Sequence, residues 1–285
     1  MNARVLIPHP ALQSYIQNYL YFEVGARNQW TRADTSPTGL PVMLFVMDTE
    51  QFSFKEFGSH EPLMFWGQVT KYSQMHGHGK MRMFYIFFHP VGAYQLFGIP
   101  LKDLKDQVVN LSDLMGATAR ILKEKLADQT TVAGMRQVVE TFFLKNLTQQ
   151  KKNEAVIRLT HAIDQIGRYC HQNNVIKEVC FRQGYSISTL ERHMRDMAGL
   201  SPKMLQRIVR FKKVLRYIKQ QHPPYRWAQI ARQFGYYDQT HFIKDFVWFY
   251  GTTPGYLEAL DSKIQLSLNS SGEEETGKSI FRVYE

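Results

Sequence analysis

The chain has 285 residues, which exceeds one ordinary domain of about 100 to 200 residues and predicts two domains. Neither a secretory signal nor an uncharged apolar run of 18 or more residues is present, which predicts a cytoplasmic protein that does not span a membrane. The only cysteines, Cys170 and Cys180, are too few for a disulfide framework or a zinc site, so we expect neither metal nor other cofactor.

The positive charge is confined to one segment of the chain. Residues 151–260 hold 18 Lys and Arg against 8 Asp and Glu, a surplus of ten that equals the net charge of the whole chain, +10. A domain-sized basic surplus suits a polyanion, either nucleic acid or an anionic membrane surface. An ordinary solvated surface is the alternative explanation.

The first hundred residues are rich in short apolar runs that end at Pro, Gly or Asp. Pro41–Met47, Gln51–Phe57 and Met81–Phe88 have the composition of strands. They predict a mainly β, barrel-like domain, similar to a degenerate cupin, and the whole chain is therefore expected to be α+β.

Helical periodicity begins after Leu101. Ala117–Asp128 and Val132–Leu147 place apolar residues at helical steps. These faces pack either on the sheet of the same chain or against a second copy, which would make a homodimer. The polar run Thr148–Asn153 is the predicted boundary between a sensor or dimerisation domain, 1–150, and a basic domain, 154–260. The acidic tail 261–285 is expected to be disordered.

The basic domain contains an internal repeat. Gly184-Tyr185 recurs as Gly235-Tyr236, and Gly199-Leu-Ser-Pro202 recurs as Gly251-Thr-Thr-Pro254. In each unit a short helix ends at the first glycine and a second helix follows, which predicts two helix-turn-helix units. Ser188 is expected to open the second helix of the first unit.

One long amphipathic helix is predicted between the units, over Pro202–Gln220. At about 1.5 Å per residue it spans roughly 28 Å, close to the roughly 34 Å between successive major grooves on one side of DNA. Both second helices can therefore face one side of a duplex.

These residues resemble a known family. Val175 to Leu257, and above all IARQFGYYDQTHFIKDFVWFYGTTPGYL from Ile230 onward, is similar to the double helix-turn-helix domain of the AraC/XylS transcriptional regulators. Pro37–Phe45 and Phe87–Gly116 more loosely resemble the sensor-like domain of one subgroup. The resemblance implies double-stranded DNA as the partner, a small-molecule effector or a homodimer through the first domain, and RNA polymerase as a further partner. Val247 and Trp248 depart from it, because the family commonly has basic residues there.

The start of each second helix is expected to read base edges. Arg192 is the candidate for a bidentate contact to guanine and Glu191 for a contact to cytosine, and the resemblance places base-reading residues at Ser188, Glu191 and Arg192. The candidate base-reading residues are Ser188, Thr189, Glu191, Arg192, Gln239, Thr240, His241 and Lys244.

Phosphate contacts are expected mainly from the first unit. Val175–Gln220 holds 11 Lys and Arg against 3 Asp and Glu, whereas Pro223–Leu257 holds 3 against 2. The first unit should therefore dominate the affinity for DNA. The candidate phosphate-contacting residues are Arg182, Arg195, Lys203, Arg207 and Lys213.

The sequence does not predict an enzyme, because it has no nucleophile motif, phosphate loop or dinucleotide turn. His76-Gly-His78, with His89 further on, is a weak metal-like spacing that lacks a following carboxylate. The leading hypothesis is a sequence-specific transcriptional regulator. The alternatives are a non-specific architectural DNA-binding protein and a metal-dependent, cupin-like enzyme fused to a DNA-binding module.

Overall fold

The computed structural model describes residues 2–24, 30–47, 51–54, 58–59, 61–147, 154–221, 223–258 and 281–284. Its N-terminal part is mainly β and its C-terminal part is helical, which confirms the predicted α+β fold class. The strands are β1 Asn2–Leu6, β2 Ile16–Val24, β3 Trp30–Thr35, β4 Val42–Met47, β5 Gln51–Phe54, β6 Gly58–Ser59, β7 Leu63–Trp66, β8 Ser73–His78, β9 Met81–Phe88, β10 Val108–Asn110 and β11 Phe281–Tyr284.

The helices follow the sheet and then occupy the second half of the chain. None of them in the described ranges is long and apolar enough to cross a bilayer. They are α1 Gly92–Phe97, α2 Leu111–Met115, α3 Ala117–Ala127, α4 Val132–Leu147, α5 Glu154–Arg168, α6 Val175–Gln183, α7 Ile187–His193, α8 Pro202–Lys219, α9 Trp227–Gln233 and α10 Gln239–Tyr250. A π-helical segment, Met194–Ala198, continues α7.

Two sheets form the N-terminal part. One has the strand order β1-β2-β9-β4-β7-β10 and the other β11-β3-β8-β5-β6. Every residue of β4 is buried because both faces of its sheet are covered. Leu44 belongs to a core that also contains Met75 of β8, on the other sheet, while Phe45 on the opposite face belongs to the core formed with α3 and α4.

This double burial explains which strands the sequence predicted. The apolar runs at 41–47 and 81–88 are β4 and β9, the central strands, which read as continuous apolar stretches because neither face meets water. The run 51–57 contains β5, Gln51–Phe54, and residues 55–57 lie outside the described ranges.

The helices α3 and α4 coincide closely with their predicted ranges and pack mainly within the chain. Leu122, Leu126, Val139 and Phe143 are fully or almost fully buried. The ring of Phe143 meets that of Phe88 edge-on at 5.7 Å. The apolar faces of these helices therefore cover the outer side of the first sheet, as in the first of the two alternatives.

The predicted boundary Thr148–Asn153 and most of the predicted disordered tail, 261–280, lie outside the described residues. Phe281–Tyr284 instead form β11, which pairs antiparallel with β3 from Phe281 opposite Thr35 to Tyr284 opposite Arg32. The prediction of disorder is wrong for these four residues, because the edge of the second sheet supplies backbone hydrogen-bond partners for them.

Candidate nucleic-acid interface

The repeat is a repeat of three helices and begins earlier than the sequence analysis placed it. The helices α5 to α7 form one unit and α8 to α10 the other. Buried residues of α5 recur in α8 at a constant spacing of 52 positions, and both units share one core. The pairs are Val156 with Ile208, Leu159 with Phe211, Ala162 with Val214, and Ile166 with Ile218.

The turn in each unit needs a glycine. Gly184 has φ 63° and Gly235 has φ 73°, a left-handed conformation that favours glycine because it has no Cβ. At Gly235 a Cβ would also lie 2.0 Å from the carbonyl oxygen of His171. The glycines that carry the sequence repeat are therefore required by the fold.

An arginine from the leading helix of each unit covers the tyrosine that follows this glycine. The guanidinium of Arg158 lies 4.7 Å from the ring centre of Tyr185, and that of Arg210 lies 5.2 Å from the ring centre of Tyr236. Arg158 and Arg210 are again 52 positions apart. These cation–π contacts fix both turns against their leading helices.

The second helix of each unit has the same kind of N-cap. Ser186 Oγ accepts a hydrogen bond from the backbone N–H of Thr189 at 3.0 Å, and Asp238 Oδ1 accepts one from the N–H of His241 at 2.7 Å. Such caps satisfy backbone donors that have no partner within the helix. The first of these helices begins at Ile187, one residue before the predicted start at Ser188.

The predicted base-reading residues of the first unit differ in what they already contact. Ser188 and Arg192 are exposed, whereas Thr189 and Glu191 are half-buried. Thr189 Oγ1 accepts from Ser186 Oγ at 2.8 Å, and Glu191 lies 3.3 Å from the guanidinium of Arg195. Within the described residues Arg192 has no ion-pair partner, so its guanidinium is available to a ligand.

The second unit presents Gln239, Thr240 and Lys244, all of which are exposed. His241 is half-buried, and its ring meets the ring of Tyr236 edge-on at 5.5 Å. His241 is therefore partly committed to the turn, while the other three side chains form an open polar face along the first half of α10.

The candidate phosphate contacts fall into two groups. Lys203 is exposed, and Arg182 and Arg195 are exposed partners in single-turn ion pairs with Glu178 at 3.5 Å and Glu191 at 3.3 Å. Exposed pairs of this kind are weak and exchange readily with a stronger anion. Lys213 instead donates to the backbone carbonyl of Arg168 at 2.9 Å.

Arg207 has a different role from the predicted one. Its Nε and Nη2 donate to Asp245 Oδ1 at 3.1 and 2.6 Å, and Asp245 is 1% exposed. The guanidinium also lies 5.3 Å from the ring centre of Phe249. The structure thus places Arg207 in the contact between α8 and α10 rather than on the free surface expected of a phosphate ligand.

In the described part of the β domain, the space beside the core of the second face of β4 is almost filled with side chains. The cavity beside Trp66, Tyr85 and Phe87 has a volume of about 20 Å³, enough for roughly one water molecule. The hydroxyl of Tyr85 donates to Met83 Sδ at 3.2 Å, and burial raises the pKa of this hydroxyl. A small-molecule effector therefore has no room at this position.

A larger cleft lies between the two halves of the chain. It has a volume of about 350 Å³ and is lined by residues 38–40 and Pro90 on one side and by α5 and α8 on the other. Lys212 Nζ donates to the carbonyl of Thr38 at 2.8 Å, and burial, with a smaller effect of Arg216, lowers the pKa of Lys212 to about 8. No signal in the sequence marks this lysine, because it is one of several cations on α8.

A second groove follows α3 and α4 on the outer side of the N-terminal domain. Its volume is about 660 Å³, and Ile121, Val138 and Phe142 contribute apolar surface to it. Ile121 is 53% exposed. The helices predicted to mediate self-association therefore keep an accessible apolar strip although most of their apolar residues are buried.

The histidines with metal-like spacing do not converge on a site. His76 and His78 alternate with the buried Met75 and Gly77 along β8 and so point away from the interior. His89 lies beyond β9, where its Nε2 is 3.1 Å from the carbonyl of Gln13. In the described ranges no three His, Cys, Asp or Glu side chains are grouped to hold a metal ion.

Two family models match the sequence. One, described as a domain of unknown function (DUF6597), matches residues 4–110, and the other, described as a helix-turn-helix domain, matches residues 179–258. No curated protein matches the chain. The second match includes both turns and both capped helices.

Among solved structures, the chain is similar to ToxT from Vibrio cholerae O395, with 11% identity and a TM-score of 0.45 over 86% of this chain and 97% of that one. The same protein bound to (E)-4-(8-methylnaphthalen-1-yl)but-3-enoic acid matches with 10% identity and a TM-score of 0.43, over 90% and 98%. An unsaturated fatty acid-bound ToxT from strain SCE256 matches with 10% identity and a TM-score of 0.43, over 89% and 96%.

Proposed function

We propose that this chain, whose C-terminal half carries a helix-turn-helix domain of the AraC type, is a sequence-specific transcriptional regulator that reads two adjacent major grooves. The observation that carries the proposal is the duplicated second helix, which in both units is N-capped by a side-chain oxygen and has exposed polar residues at its start. A single non-specific contact would not need two such helices with different side chains.

The spacing between the units supports simultaneous binding. The connecting helix α8 has 18 residues, so at about 1.5 Å per residue it is about 27 Å long. Successive major grooves on one side of DNA are roughly 34 Å apart, a distance of the same order as the length of α8. Both second helices can then enter the same side of a duplex.

Arg192 is the residue we assign to direct reading in the first unit, as a bidentate donor to guanine. Gln239 is suited to adenine and Lys244 to guanine in the second unit, since an amide pairs with the adenine edge and a cation with the guanine edge. Arg182, Arg195 and Lys203 would hold phosphates. Arg182 and Arg195 would exchange their weak carboxylate partners for the DNA backbone.

The cleft at Lys212 is the place we infer for an effector. Its amine has only the carbonyl of Thr38 as a hydrogen-bond acceptor in the described residues, and an anionic ligand would restore the charge that burial disfavours. The apolar side chains of Leu205 and Val209 line the same cleft. We therefore infer a small molecule with an acidic group and an apolar body, which would bridge the two halves of the chain.

Self-association is inferred at the groove along α3 and α4. This groove is on the N-terminal domain, so a dimer formed there would leave the helix-turn-helix units free. A dimer would also double the number of grooves that are read and lengthen the recognised site.

The experiment compares Arg192→Ala with Arg182→Ala on a duplex selected from random sequences and on a scrambled one. Losing a base contact costs about 1 to 3 kcal/mol on the selected site only, a loss of about 5-fold to 150-fold. Losing a phosphate contact weakens both duplexes alike. Equal, sequence-independent losses for both variants would instead favour an architectural DNA-binding protein.

A further inference from the structure

The N-terminal domain contacts the C-terminal end of the second helix of each unit. These helices are α7 with its π-helical continuation and α10, and we call them the recognition helices because the proposed function assigns base reading to them. In the first unit the backbone N–H of Leu101 donates to the carbonyl of Asp196 at 2.8 Å. In the second, the indole of Trp248 donates to the carbonyl of Thr70 at 2.6 Å, and the N–H of Tyr72 donates to the carbonyl of Trp248 at 2.9 Å. One domain therefore holds both helices at corresponding ends.

The contacted points are equivalent in the repeat. Gly199 and Gly251 end the two helices, 52 positions apart, with φ 71° and 77°. A Cβ at Gly199 would lie 3.0 Å from the carbonyl oxygen of Leu101, and one at Gly251 would lie 2.8 Å from the ring of Tyr72. The N-terminal domain thus packs closely against the same turn of each unit.

Residues 68–72, which contact the second unit, are held by hydrogen bonds within the N-terminal domain. Asp106 Oδ1 accepts from the N–H of Thr70 at 2.7 Å, and the N–H of Asp106 donates to the carbonyl of Gln68 at 2.9 Å. The hydroxyl of Tyr72 donates to Asp34 Oδ1 at 2.7 Å. Residues 68–72 are therefore a rigid support rather than a loose loop.

Two exposed lysines accompany these contacts. Lys71 lies between Thr70 and Tyr72, the two residues bonded to Trp248, and Lys102 follows Leu101 directly. Neither lysine has an ion-pair partner within the described ranges. Each recognition helix therefore has one uncommitted cation of the N-terminal domain beside its C-terminal end.

The second unit lacks cations of its own at this end. Val247 and Trp248 are 43% and 48% exposed, and the last turn of α10 carries no basic residue. Trp248 instead docks on the N-terminal domain, which brings Lys71 to the neighbourhood of the missing charge. The N-terminal domain thus supplies a cation where α10 has none.

The C-terminal end of α10 is expected to lie near DNA phosphates. Its 12 residues make it about 18 Å long, more than the roughly 12 Å width of the major groove. When residues at its start read bases and the helix lies across the groove, its other end reaches the phosphate wall. The contacts of the N-terminal domain leave the starts of both recognition helices exposed, so they do not block DNA.

From this arrangement we infer that the DNA interface extends onto the N-terminal domain, where Lys71 and Lys102 neutralise phosphates beside the two recognition helices. The inference rests on the proposed function. Lys71 has the larger effect, because the exposed carboxylate of Asp103 lies next to Lys102 in sequence.

The test measures DNA affinity of the intact chain over a salt series for Lys71→Ala, Lys102→Ala and the double variant. Each phosphate contact that is lost should flatten the slope of log K against log salt by about 0.9. Affinity should fall on selected and scrambled duplexes alike. The control is Lys80→Ala, in the turn after β8. This substitution also removes one positive charge, but the Nζ of Lys80 is already paired with Glu23 Oε1 at 2.6 Å.

A Lys71→Ala slope that equals the Lys80→Ala slope would overturn the inference. The proposed function fails separately, if the wild-type chain does not discriminate between selected and scrambled DNA. If it discriminates, and Arg192→Ala abolishes the discrimination while Lys71→Ala keeps the wild-type slope, only the contact through the N-terminal domain is refuted. Thermal unfolding monitored by circular dichroism checks that these surface variants remain folded.

Discussion

Replacing Arg207 by methionine tests whether this arginine supports the fold or contacts DNA. Asp245 is 1% exposed, and both of its hydrogen bonds to Arg207 end on Oδ1. Its other oxygen, Oδ2, is buried without a hydrogen-bond partner in the described residues. Arg207→Met would therefore leave a buried carboxylate with no compensating charge.

Breaking a buried ion pair in this way costs about 3 to 5 kcal/mol. We expect the lower end, about 3 kcal/mol, because the side chain of Arg207 is 29% exposed and water can reach part of the vacated space. Arg207→Met combined with Asp245→Leu removes both charges and should recover most of the loss.

The assay is urea unfolding of the intact chain, followed by circular dichroism, for wild type, both single variants and the double variant. Lys203→Met is the matched control, since Lys203 is an exposed cation on the same helix, and it should change stability little. Unchanged unfolding of Arg207→Met together with weaker DNA binding would refute this reasoning and restore Arg207 as a phosphate ligand.

Three further predictions concern the cleft, a glycine and the groove. The pKa of Lys212 is lowered from 10.5 to about 8 in the folded chain. Between these two pH values the unfolded state therefore binds more protons than the folded state. As pH rises from 8 to 10.5, the free energy of unfolding of wild type should increase relative to that of Lys212→Met. A pH-independent difference in urea unfolding would contradict this. Gly251→Ala, at φ 77°, should lower the free energy of unfolding by about 1 kcal/mol or more. Gly255→Ala is the control, because a Cβ there meets open space, and it should keep the wild-type melting temperature. Equal melting temperatures for the two variants would rule out the close contact at Gly251. Ile121→Glu should convert a dimer into a monomer in light scattering, and a wild type that is monomeric at high concentration would exclude the dimer.

Local patterns in the sequence predicted much of the helical half. The apolar periodicity of Pro202–Lys219 predicts α8, and Gly184, in the left-handed conformation, marks the end of α6. Both features could be predicted because each depends only on residues close together in the sequence. The equivalence of α5 and α8 is not evident from the sequence alone, since three of the four buried pairs differ in residue type and only their spacing matches.

Long-range contacts could not be predicted from such patterns. Arg207 and Asp245 are 38 residues apart, and Trp248 and Thr70 are 178 apart. The sequence pattern of a cation on an amphipathic helix is the same whether that cation pairs with a buried carboxylate or binds a DNA phosphate. In the sequence, Trp248 only departs from the basic residue that the resemblance implies, and nothing local indicates that it contacts Thr70.

The most direct test of the central claim uses a selected duplex with its two half-sites one helical turn apart, and the same duplex with about 5 extra base pairs between them. Half a turn of about 10 base pairs moves the second major groove to the opposite side of the DNA. If one chain reads both grooves through α7 and α10, the insertion should remove most of the affinity of wild type. On the duplex with the insertion, Gln239→Ala should then have the same affinity as wild type. Equal affinity for the two duplexes would contradict the account.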